Sequence, residues 1–253
     1  MVFKMLFDTT THTMTLSDDG TYTAYSAEYD EHYHSTKDGA LKESLLKHVI
    51  PTFKIKQNQK EINILDICFG LGFNTLATLY YHKQNHLTCA LNIFSPELDE
   101  KLISSLNNFT YPKEFEKFID IIKELVENKI YKDDIFSIEL FVGDARDYIK
   151  KFDNHFDIVY QDAFSPSTNP ILWTKEYFAD IRDAMKKDGV LSTYSTAFRT
   201  RLALYENNFN VYLNTGKEFR TATLASQVLL DTYELVDMKH KISCNLDKKS
   251  LRD

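Results

Sequence analysis

The feature that most constrains the fold is an alternation of strand-like and helix-like segments that begins near residue 61. Seven short apolar or β-branched runs follow one another, at 62–67, 87–93, 137–142, 156–161, 189–194, 209–213 and 223–230. Several are continuously apolar, as in strands that are covered on both faces. Helical patterns lie between them, and the segment 98–136 is long enough for two helices. The sequence therefore predicts an α/β fold with a mostly parallel, doubly wound, seven-stranded sheet.

The part of the chain ahead of this alternation has a different pattern. Polar and apolar residues alternate around the turn signal Asp18-Asp19-Gly20, which predicts a small β-hairpin appendage over residues 1–36. A helix is expected to begin near Ser35, where the spacing fits a capping box, and to end at Pro51. Residues 37–253 are expected to form a single domain against which the hairpin packs.

Composition limits the classes of protein to which the chain can belong. It lacks an apolar run of 18 residues, which excludes a transmembrane helix. The N-terminal residues lack the features of a signal peptide, and the three cysteines have no CxxC spacing, so we expect a cytoplasmic protein without a zinc ribbon or disulfide framework. The net charge of −7 does not suit a protein that coats nucleic acid non-specifically, although a local basic face remains compatible with it.

Acidic residues stand at the ends of three predicted strands. Asp66 ends the first, Asp144 and Ala145 follow the third, and Asp162 follows the fourth. In open α/β sheets the ligand lies beyond the carboxyl ends of the strands, near the reversal of strand order. Unpaired carboxylates are costly to bury. These three side chains are therefore candidates for a binding crevice.

The segment LDICFGLGFN, residues 65–74, has the form of a cofactor loop. Gly70 and Gly72 allow close backbone approach, and Asn74 can cap the helix that follows. A dinucleotide loop would carry a third glycine at the helix entry, and Asp66 would repel a pyrophosphate. An acidic residue suits a ligand with an amino group, which favours S-adenosylmethionine over NAD. An ordinary strand–helix turn is the alternative reading.

The segment DAFSPSTNPILW, residues 162–173, is the most specific signal. A carboxylate leaves a strand into a loop that holds two prolines and the single tryptophan of the chain. Asp162 is expected to orient or deprotonate an amine nucleophile, with Phe164 as an apolar wall. Packing of the loop by Trp173 and the prolines is the structural alternative.

Two further patterns are weaker. His32-x-His34 has the spacing of metal ligands but no third histidine or cysteine supports it, so we expect no metal. Thr196 to Arg199 follows the fifth strand and is a candidate for the lip of the substrate opening, with an ordinary helix start as the alternative.

With these residues in place, the sequence resembles the methyltransferase domain of the MnmC family, which completes the 5-methylaminomethyl modification of the tRNA wobble uridine. The resemblance runs from about Ser26 to Ala225. It rests on a front motif, the cofactor loop, the third-strand end and the fourth-strand motif. The matching positions are Asp30, Tyr33, Ser35, Asp38, Gly39, Glu43, Asp66, Phe69, Gly70, Gly72, Asn74, Gly143, Asp144, Asp162, Phe164, Pro166, Asn169, Pro170, Trp173 and Thr174.

The resemblance implies a class I methyltransferase fold of the Rossmann-like type, with S-adenosylmethionine as donor. The acceptor it implies is the aminomethyl group of 5-aminomethyl(-2-thio)uridine in the tRNA anticodon. The residues it implies around the donor are Tyr33, Glu43, Asp66, Phe69, Gly70, Gly72, Asn74, Asp144, Ala145 and Asp162. Family members often carry a second, FAD-dependent domain. We expect this chain to be a stand-alone methyltransferase that works with a separate FAD-dependent or other upstream enzyme.

Several positions depart from the family pattern. Cys68 replaces the first glycine of the loop, and His34 replaces an aromatic residue of the front motif. The acid that normally closes the second strand and holds the donor ribose is expected to be missing, because Ile93 or Phe94 stands there and Glu97 is displaced by a few residues.

The acceptor is expected to contact a second set of residues. The wobble base would be splayed out and enclosed by an aromatic side chain such as Phe164 or Trp173, as single-stranded RNA bases commonly are. The basic residues Arg199, Arg201, Lys217 and Arg220 are the hypothesis for contact with the anticodon stem. Ordinary solvated charge is the alternative reading of that stretch.

Two rival functions remain open from the sequence. An aminopropyltransferase of the spermidine-synthase type uses a related donor and a fourth-strand aspartate, but its pocket would need further acidic residues and no basic rim. A catalytically degenerate domain that binds tRNA or a partner protein is the second rival. Binding of S-adenosylmethionine separates that module from the enzymes.

Overall fold

The computed structural model of the chain describes residue 7 and residues 9–56 and 58–253. The strands in these residues are β1 (His12–Leu16), β2 (Tyr22–Ser26), β3 (Glu31–His32), β4 (Glu61–Ile67), β5 (Ala90–Glu97), β6 (Ile130–Lys132), β7 (Phe136–Val142), β8 (Phe156–Gln161), β9 (Met185–Thr193), β10 (Asn210–Asn214), β11 (Ala222–Ser226) and β12 (Glu234–Leu235). The α-helices are α1 (Ala40–Glu43), α2 (Ile50–Lys56), α3 (Phe73–Gln84), α4 (Glu100–Ser105), α5 (Ile119–Asn128), α6 (Ala145–Ile149), α7 (Lys175–Ala184), α8 (Phe198–Glu206) and α9 (Met238–Ser243).

The main sheet has nine strands in the order β12-β10-β11-β9-β8-β4-β5-β7-β6. The five central strands, β9, β8, β4, β5 and β7, run parallel to one another. The strands on either side of these five pair in an antiparallel manner. The predicted doubly wound α/β class is confirmed, and each of the seven predicted runs forms a strand. The two additional strands, β6 and β12, have three and two residues, too few for a hydrophobic period.

The core lies on both faces of the sheet, which explains the continuous apolar runs. Every residue of β8 is buried. Its alternate side chains Ile158 and Val159 belong to two different clusters, one on each face. Strand order reverses at β4, since the chain proceeds to β5 on one side and later to β8 on the other. A crevice is therefore expected beyond the carboxyl ends of β4 and β8.

The first helix does not end at Pro51, so this prediction is wrong. Helix α1 continues into a π-helical segment, Ser44–Val49, and then into α2 with Pro51 in its first turn. The N–H of Ile50 donates to the carbonyl of Leu45, five residues back. Proline lacks an N–H and crowds the carbonyl four residues before it, and a wider turn relieves that crowding.

The predicted N-terminal hairpin is present as a separate antiparallel sheet. Strands β1 and β2 pair around the turn at Gly20, and β3 adds two residues to the other edge of β2. The described helices include none that is long and apolar enough to span a membrane.

Candidate functional site

A crevice of about 1190 Å³ lies beyond the carboxyl ends of the central strands. The loops after β4, β5, β7 and β8 line one side of it, and residues 28–38 line another. The small hairpin sheet therefore contributes a wall of the site through the segment that begins at β3. The parallel topology brings the strand-end residues together, as the sequence predicts.

In the predicted cofactor loop, three of the five residues from Cys68 to Gly72 have a left-handed backbone conformation. Cys68, Gly70 and Gly72 have φ angles of 64°, 55° and 77°. At Gly70 a Cβ would lie 3.1 Å from the ring of Tyr33, so the loop approaches the front wall closely. Cys68 adopts the same backbone region with a side chain, at a cost of roughly 1–2 kcal/mol.

Gly72 is not among the residues that line the crevice, and its predicted donor contact stays a prediction. It caps helix α3, and a Cβ there would lie 2.9 Å from the Phe69 ring and 3.3 Å from Ile122. Close packing and the left-handed cap explain the glycine. Phe69, Gly70 and Asn74 do line the crevice.

Asp66 lies beneath the crevice surface, and its predicted contact with the donor stays a prediction. It is 1 % exposed, and its Oδ2 accepts a hydrogen bond from Thr75 Oγ1 at 2.7 Å. Its Oδ1 is buried without a hydrogen-bond partner among the described residues. Burial raises the pKa of Asp66 to about 7. The side chain therefore supports the loop from beneath.

The second central strand ends in an acid after all, so the predicted absence is wrong. Strand β5 extends through Pro96 to Glu97, which lines the crevice. Pro96 is tolerated because pairing with β4 has already ended at Phe94. Glu97 Oε2 accepts from Gly70 N at 2.8 Å, and Oε1 accepts from Asp99 N at 2.9 Å. Burial raises its pKa.

Asp144 and Ala145 line the crevice at the end of β7, as predicted. Asp144 caps helix α6, its carboxylate accepting from Arg146 N at 2.8 Å. The side chain is otherwise exposed, so its remaining acceptor positions are open to a ligand.

Asp162 is held by two side chains at the end of β8. Asn74 Nδ2 donates to its Oδ2 at 2.8 Å, and His48 Nε2 lies 3.4 Å from its Oδ1. Burial alone would raise the pKa of Asp162, but the nearby imidazoles of His48 and His34 and the Asn74 amide outweigh it and lower the pKa. Asp162 is therefore an ionised, oriented carboxylate that faces the crevice.

Phe164 forms an aromatic wall two residues beyond Asp162. Its ring stacks on Tyr29 at 4.5 Å between centroids and contacts Tyr33 at 4.9 Å. Both tyrosines come from the segment around β3, and Glu31 Oε2 of the same segment accepts from Ser165 N at 3.1 Å. The hairpin sheet and the fourth-strand loop thus form one apolar corner.

Trp173 does not face the crevice, so its predicted contact with a base is wrong. Its side chain is 0 % exposed, and Nε1 donates to the carbonyl of Phe164 at 2.8 Å. It packs against Tyr194 and Phe178. Trp173 therefore packs the loop, which was the alternative reading of this segment, and its hydrogen bond fixes the backbone that carries Phe164.

Glu43 reaches the crevice but is already committed to protein partners. Its Oε1 accepts from Lys47 Nζ at 2.6 Å, and its Oε2 accepts from Ser35 N at 2.8 Å. Lys47 also pairs with Asp38 at 3.1 Å. This buried trio fixes the front segment against the first helix. Lone pairs of both Glu43 oxygens remain for a ligand.

The predicted basic residues divide into two groups. Arg199, Lys217 and Arg220 are exposed, and Arg220 also lines the crevice. Arg201 is turned inward: Nε donates to Thr223 Oγ1 at 3.0 Å, Nη2 is buried, and burial lowers its pKa. Its predicted contact with tRNA stays a prediction.

The crevice is more acidic than the sequence led us to expect. Four lysines and arginines line it against nine carboxylates. The acidic residues are Glu28, Glu31, Asp38, Glu43, Glu97, Asp99, Glu100, Asp144 and Asp162. Among the described residues, no group of three or more histidine, cysteine, aspartate or glutamate side chains is arranged to hold a metal ion.

Sequence reasoning missed His48, Glu97, Tyr29 and Tyr194. Tyr194 lines the crevice after β9 and donates to the carbonyl of Ala163 at 2.9 Å. Only the acidic character of Glu97 and the aromatic spacing of Tyr29 and Tyr33 were visible as signals in the sequence. His48 sits in a helical pattern that gives no sign of its partner.

Comparisons with known proteins agree with this geometry. A family model for S-adenosyl-L-methionine-dependent methyltransferases matches residues 111–227. An uncharacterised protein of Methanocaldococcus jannaschii is 37% identical over 202 residues, which cover 78% of this chain and 54% of that protein. The tRNA 5-methylaminomethyl-2-thiouridine biosynthesis bifunctional protein MnmC of Leptospira interrogans is 27% identical over 213 residues, covering 77% and 32%.

Solved structures give the same result. The crystal structure of MNMC2 from Aquifex aeolicus matches with a TM-score of 0.81 and 28% identity, covering 96% of this chain and 79% of that one. Spermidine synthase from Thermotoga maritima has a TM-score of 0.51 at 18% identity, covering 86% and 72%, a likeness of fold alone. The chain spans about half the length of the first sequence relative and about a third of MnmC.

Proposed function

We propose that this chain, which is similar in sequence and fold to the methyltransferase part of MnmC, methylates the aminomethyl nitrogen of 5-aminomethyl(-2-thio)uridine at the tRNA wobble position. One observation carries the proposal. The ionised Asp162, fixed by Asn74, lies beside the aromatic wall of Phe164 in the crevice that also holds the cofactor loop. This arrangement suits a cationic amine next to the donor.

The residues around the loop fit S-adenosyl-L-methionine. The left-handed turn at Gly70 brings backbone close to a ligand, and Glu97 presents a carboxylate at the end of β5, where the family holds the donor ribose. Asp144 is open to accept a hydrogen bond from the adenine amino group. When bound, the cofactor supplies a methyl group that its positively charged sulfur already activates. The residues proposed to hold it are Tyr33, Glu43, Phe69, Gly70, Asn74, Glu97, Asp144 and Ala145.

Asp162 is proposed to bind and deprotonate the acceptor amine. An aminomethyl group is mostly protonated in neutral water, and only the neutral amine has the electron pair needed for attack. The lowered pKa of Asp162 keeps its carboxylate charged, so that it attracts the ammonium form. Phe164 and Tyr29 exclude water on one side and favour the neutral amine. Positioning then accounts for most of the rate.

The charge distribution supports a nucleotide that leaves its stem to enter the crevice. Nine carboxylates line the crevice and would repel phosphates, whereas Arg220 also lines it and Arg199 and Lys217 are exposed. The phosphate backbone would remain on this basic rim while the wobble base enters. The upstream step, which supplies the aminomethyl group, is proposed to come from a separate FAD-dependent or other enzyme.

Incubation with labelled S-adenosyl-L-methionine and tRNA that carries 5-aminomethyluridine tests the proposal. Nucleoside analysis should show 5-methylaminomethyluridine with the wild-type protein. The Asp162→Asn variant should form at least 100-fold less, since its amide cannot hold the proton. Donor binding without a labelled nucleoside would overturn the tRNA assignment.

The acidic lining favours a second candidate, an aminopropyltransferase that acts on a polyamine. Carboxylates along a crevice suit a diamine, and the sequence-based criterion against this candidate no longer separates the two. Decarboxylated S-adenosylmethionine with putrescine should give no spermidine if the methyltransferase proposal holds. A protein that binds neither donor would be the non-catalytic module.

A further inference from the structure

His48 lies directly behind the carboxylate to which the amine is proposed to bind. It is in the π-helical segment Ser44–Val49 and is 0 % exposed. Its Nδ1 is 3.0 Å from Ser192 Oγ of strand β9, and its Nε2 is 3.4 Å from Asp162 Oδ1. The imidazole thus spans from the sheet to the crevice carboxylate, on the side of Asp162 opposite to the one that Asn74 holds.

The Nε2 atom of His48 makes no hydrogen bond within the part of the chain that the structure describes. A buried nitrogen without a partner is destabilising, so its presence calls for an explanation. A neutral histidine with its proton on Nδ1, donating to Ser192, leaves a lone pair on Nε2. That lone pair and the Asp162 carboxylate are both acceptors, so their contact at 3.4 Å is unfavourable until a proton lies between them. A single proton between Nε2 of His48 and Oδ1 of Asp162 would join them in a hydrogen bond.

We propose that His48 is the proton-accepting partner of Asp162, fixed in its Nδ1–H tautomer by Ser192. The inference rests on the proposed function. An N–H bond of the substrate ammonium breaks, and its electron pair stays on the nitrogen. The proton passes through the Asp162 carboxylate to His48 Nε2, where a new N–H bond forms. The freed pair then attacks the methyl group, and the proton returns to water after the methylated product has left.

The surroundings of His48 support a transient positive charge. Asp162 from the loop after β8 and Asp66 from β4 are the carboxyl groups facing it, and both interact favourably with an imidazolium. Opposing them is His34 from the front segment, whose pKa burial lowers. Tyr160 of β8 presents its ring at 5.8 Å.

The other ionisable groups on the elements around His48 either pair with each other or lie at the far end of their helix. Glu43 and Lys47, which precede His48 on its own helix, pair with each other. Helix α3, which packs on this segment, carries its ionisable side chains in its last turns, at Tyr80, Tyr81, His82 and Lys83. The imidazolium would therefore be balanced chiefly by Asp162.

The pH profile of kcat for the His48→Gln variant tests the inference. Glutamine can donate a hydrogen bond to Asp162 but cannot take up a proton. The amine would then lose its proton to water before it binds, so the rising limb of the profile should move towards the higher pKa of the free amine. At pH 7 we expect at least a tenfold loss of kcat, which shrinks as pH rises. The Ser192→Ala variant should shift the rising limb of the pH profile in the same direction, but by less than His48→Gln does.

The matched control is His82→Gln. His82 is also buried, bonded through one ring nitrogen to the carbonyl of Cys89 and without a partner for the other among the described residues. It lies outside the crevice, so its variant should keep the wild-type profile. A His48→Gln variant that loses the same factor at every pH, or that loses none, would overturn the inference.

A measurement on the unmodified protein needs neither the variant nor the substrate. Nitrogen-15 NMR of labelled histidine should show the proton of His48 on Nδ1 and none on Nε2. A proton on Nε2 in the resting protein would contradict the inference even if the variant failed to fold. Failure of the proposed function would appear separately, as wild-type protein that does not methylate the tRNA.

Discussion

The side-chain amide of Asn74 donates to Oδ2 of Asp162 at 2.8 Å and joins the two motifs that the sequence singles out. Asn74 opens helix α3 just after the cofactor loop, whereas Asp162 follows strand β8. Asn74 Nδ2 orients the carboxylate, and its lone pairs on the other side are left for the amine. The loop that is proposed to hold the donor therefore also fixes the acceptor group.

Replacement of Asn74 by alanine should lower kcat with donor and tRNA at saturation by roughly tenfold, which corresponds to about 1.4 kcal/mol of lost transition-state stabilisation. The carboxylate would lose the hydrogen bond from Asn74 that fixes its orientation. Steady-state kinetics at pH 7.5 measures the effect. Asn85→Ala is a suitable control, because Asn85 is exposed at the end of the same helix and bonds only to the Tyr81 carbonyl. Equal kcat in the two variants would show that Asn74 does not position Asp162.

The sequence predicted the sheet and the strand-end residues for a physical reason. Strands covered on both faces must be continuously apolar, as Phe156–Gln161 is, and parallel strands present their carboxyl ends at one edge. Asp144 and Asp162 therefore had to meet in one crevice. The segments between them contributed little to this prediction.

The features of the site that the sequence did not predict depend on tertiary contacts. The apolar run that predicted β5 stopped at Ile93, but pairing with β7 continues the strand to Glu97. Asp66 and Trp173 have residue types typical of a site, but packing turns both away from the crevice. The pair of His48 and Asp162 joins residues 114 positions apart (162 − 48), which no local spacing encodes.

Replacement of Cys68 by glycine should stabilise the protein by about 1 kcal/mol, because only the side chain is strained at a φ of 64°. Thermal or urea unfolding measures the change. The greater freedom of glycine in the unfolded chain offsets part of the gain. Cys68→Ala is the matched control: it removes the thiol but keeps the Cβ, so it should give no such gain. Equal stabilisation in both variants would assign the cost to the thiol and not to the backbone.

The raised pKa of Asp66 predicts a pH-dependent stability. The Asp66 carboxyl holds its proton up to about pH 7 in the folded state, whereas in the unfolded chain its pKa is the ordinary value of 3.8. The folded state then holds more protons, so the stabilising contribution is full below pH 3.8 and is lost as pH rises through 7, by up to about 1.4 kcal/mol per unit.

The Asp66→Asn variant should remove that dependence, because an amide does not titrate and its oxygen can still accept from Thr75. The difference in unfolding free energy between variant and wild type, measured from pH 4 to 8, should move in favour of the variant as pH rises. Asp120→Asn, at an exposed position, should show a flat difference. A flat difference for Asp66→Asn as well would mean that this carboxyl titrates normally.

The Glu97→Ala variant should bind S-adenosyl-L-methionine at least tenfold more weakly. It removes the carboxylate proposed to accept from the donor ribose and leaves the N–H of Gly70 without its partner. Isothermal titration calorimetry measures the dissociation constant. Glu100→Ala is a matched control, since Glu100 lines the same crevice at the start of α4 and is exposed. An unchanged affinity in Glu97→Ala would place the ribose elsewhere.

The division of the basic residues predicts two different outcomes of charge reversal. Arg199→Glu together with Arg220→Glu should weaken tRNA binding at least tenfold and reduce the salt dependence of the dissociation constant, because both side chains are exposed. Stability should hardly change. Arg201→Glu should instead destabilise the fold, because it places a carboxylate where a half-buried guanidinium bonds to Thr223. Filter binding over a range of salt concentrations, with unfolding curves for each variant, checks both. Unchanged tRNA affinity and salt slope in the double variant would remove this rim from the tRNA contact.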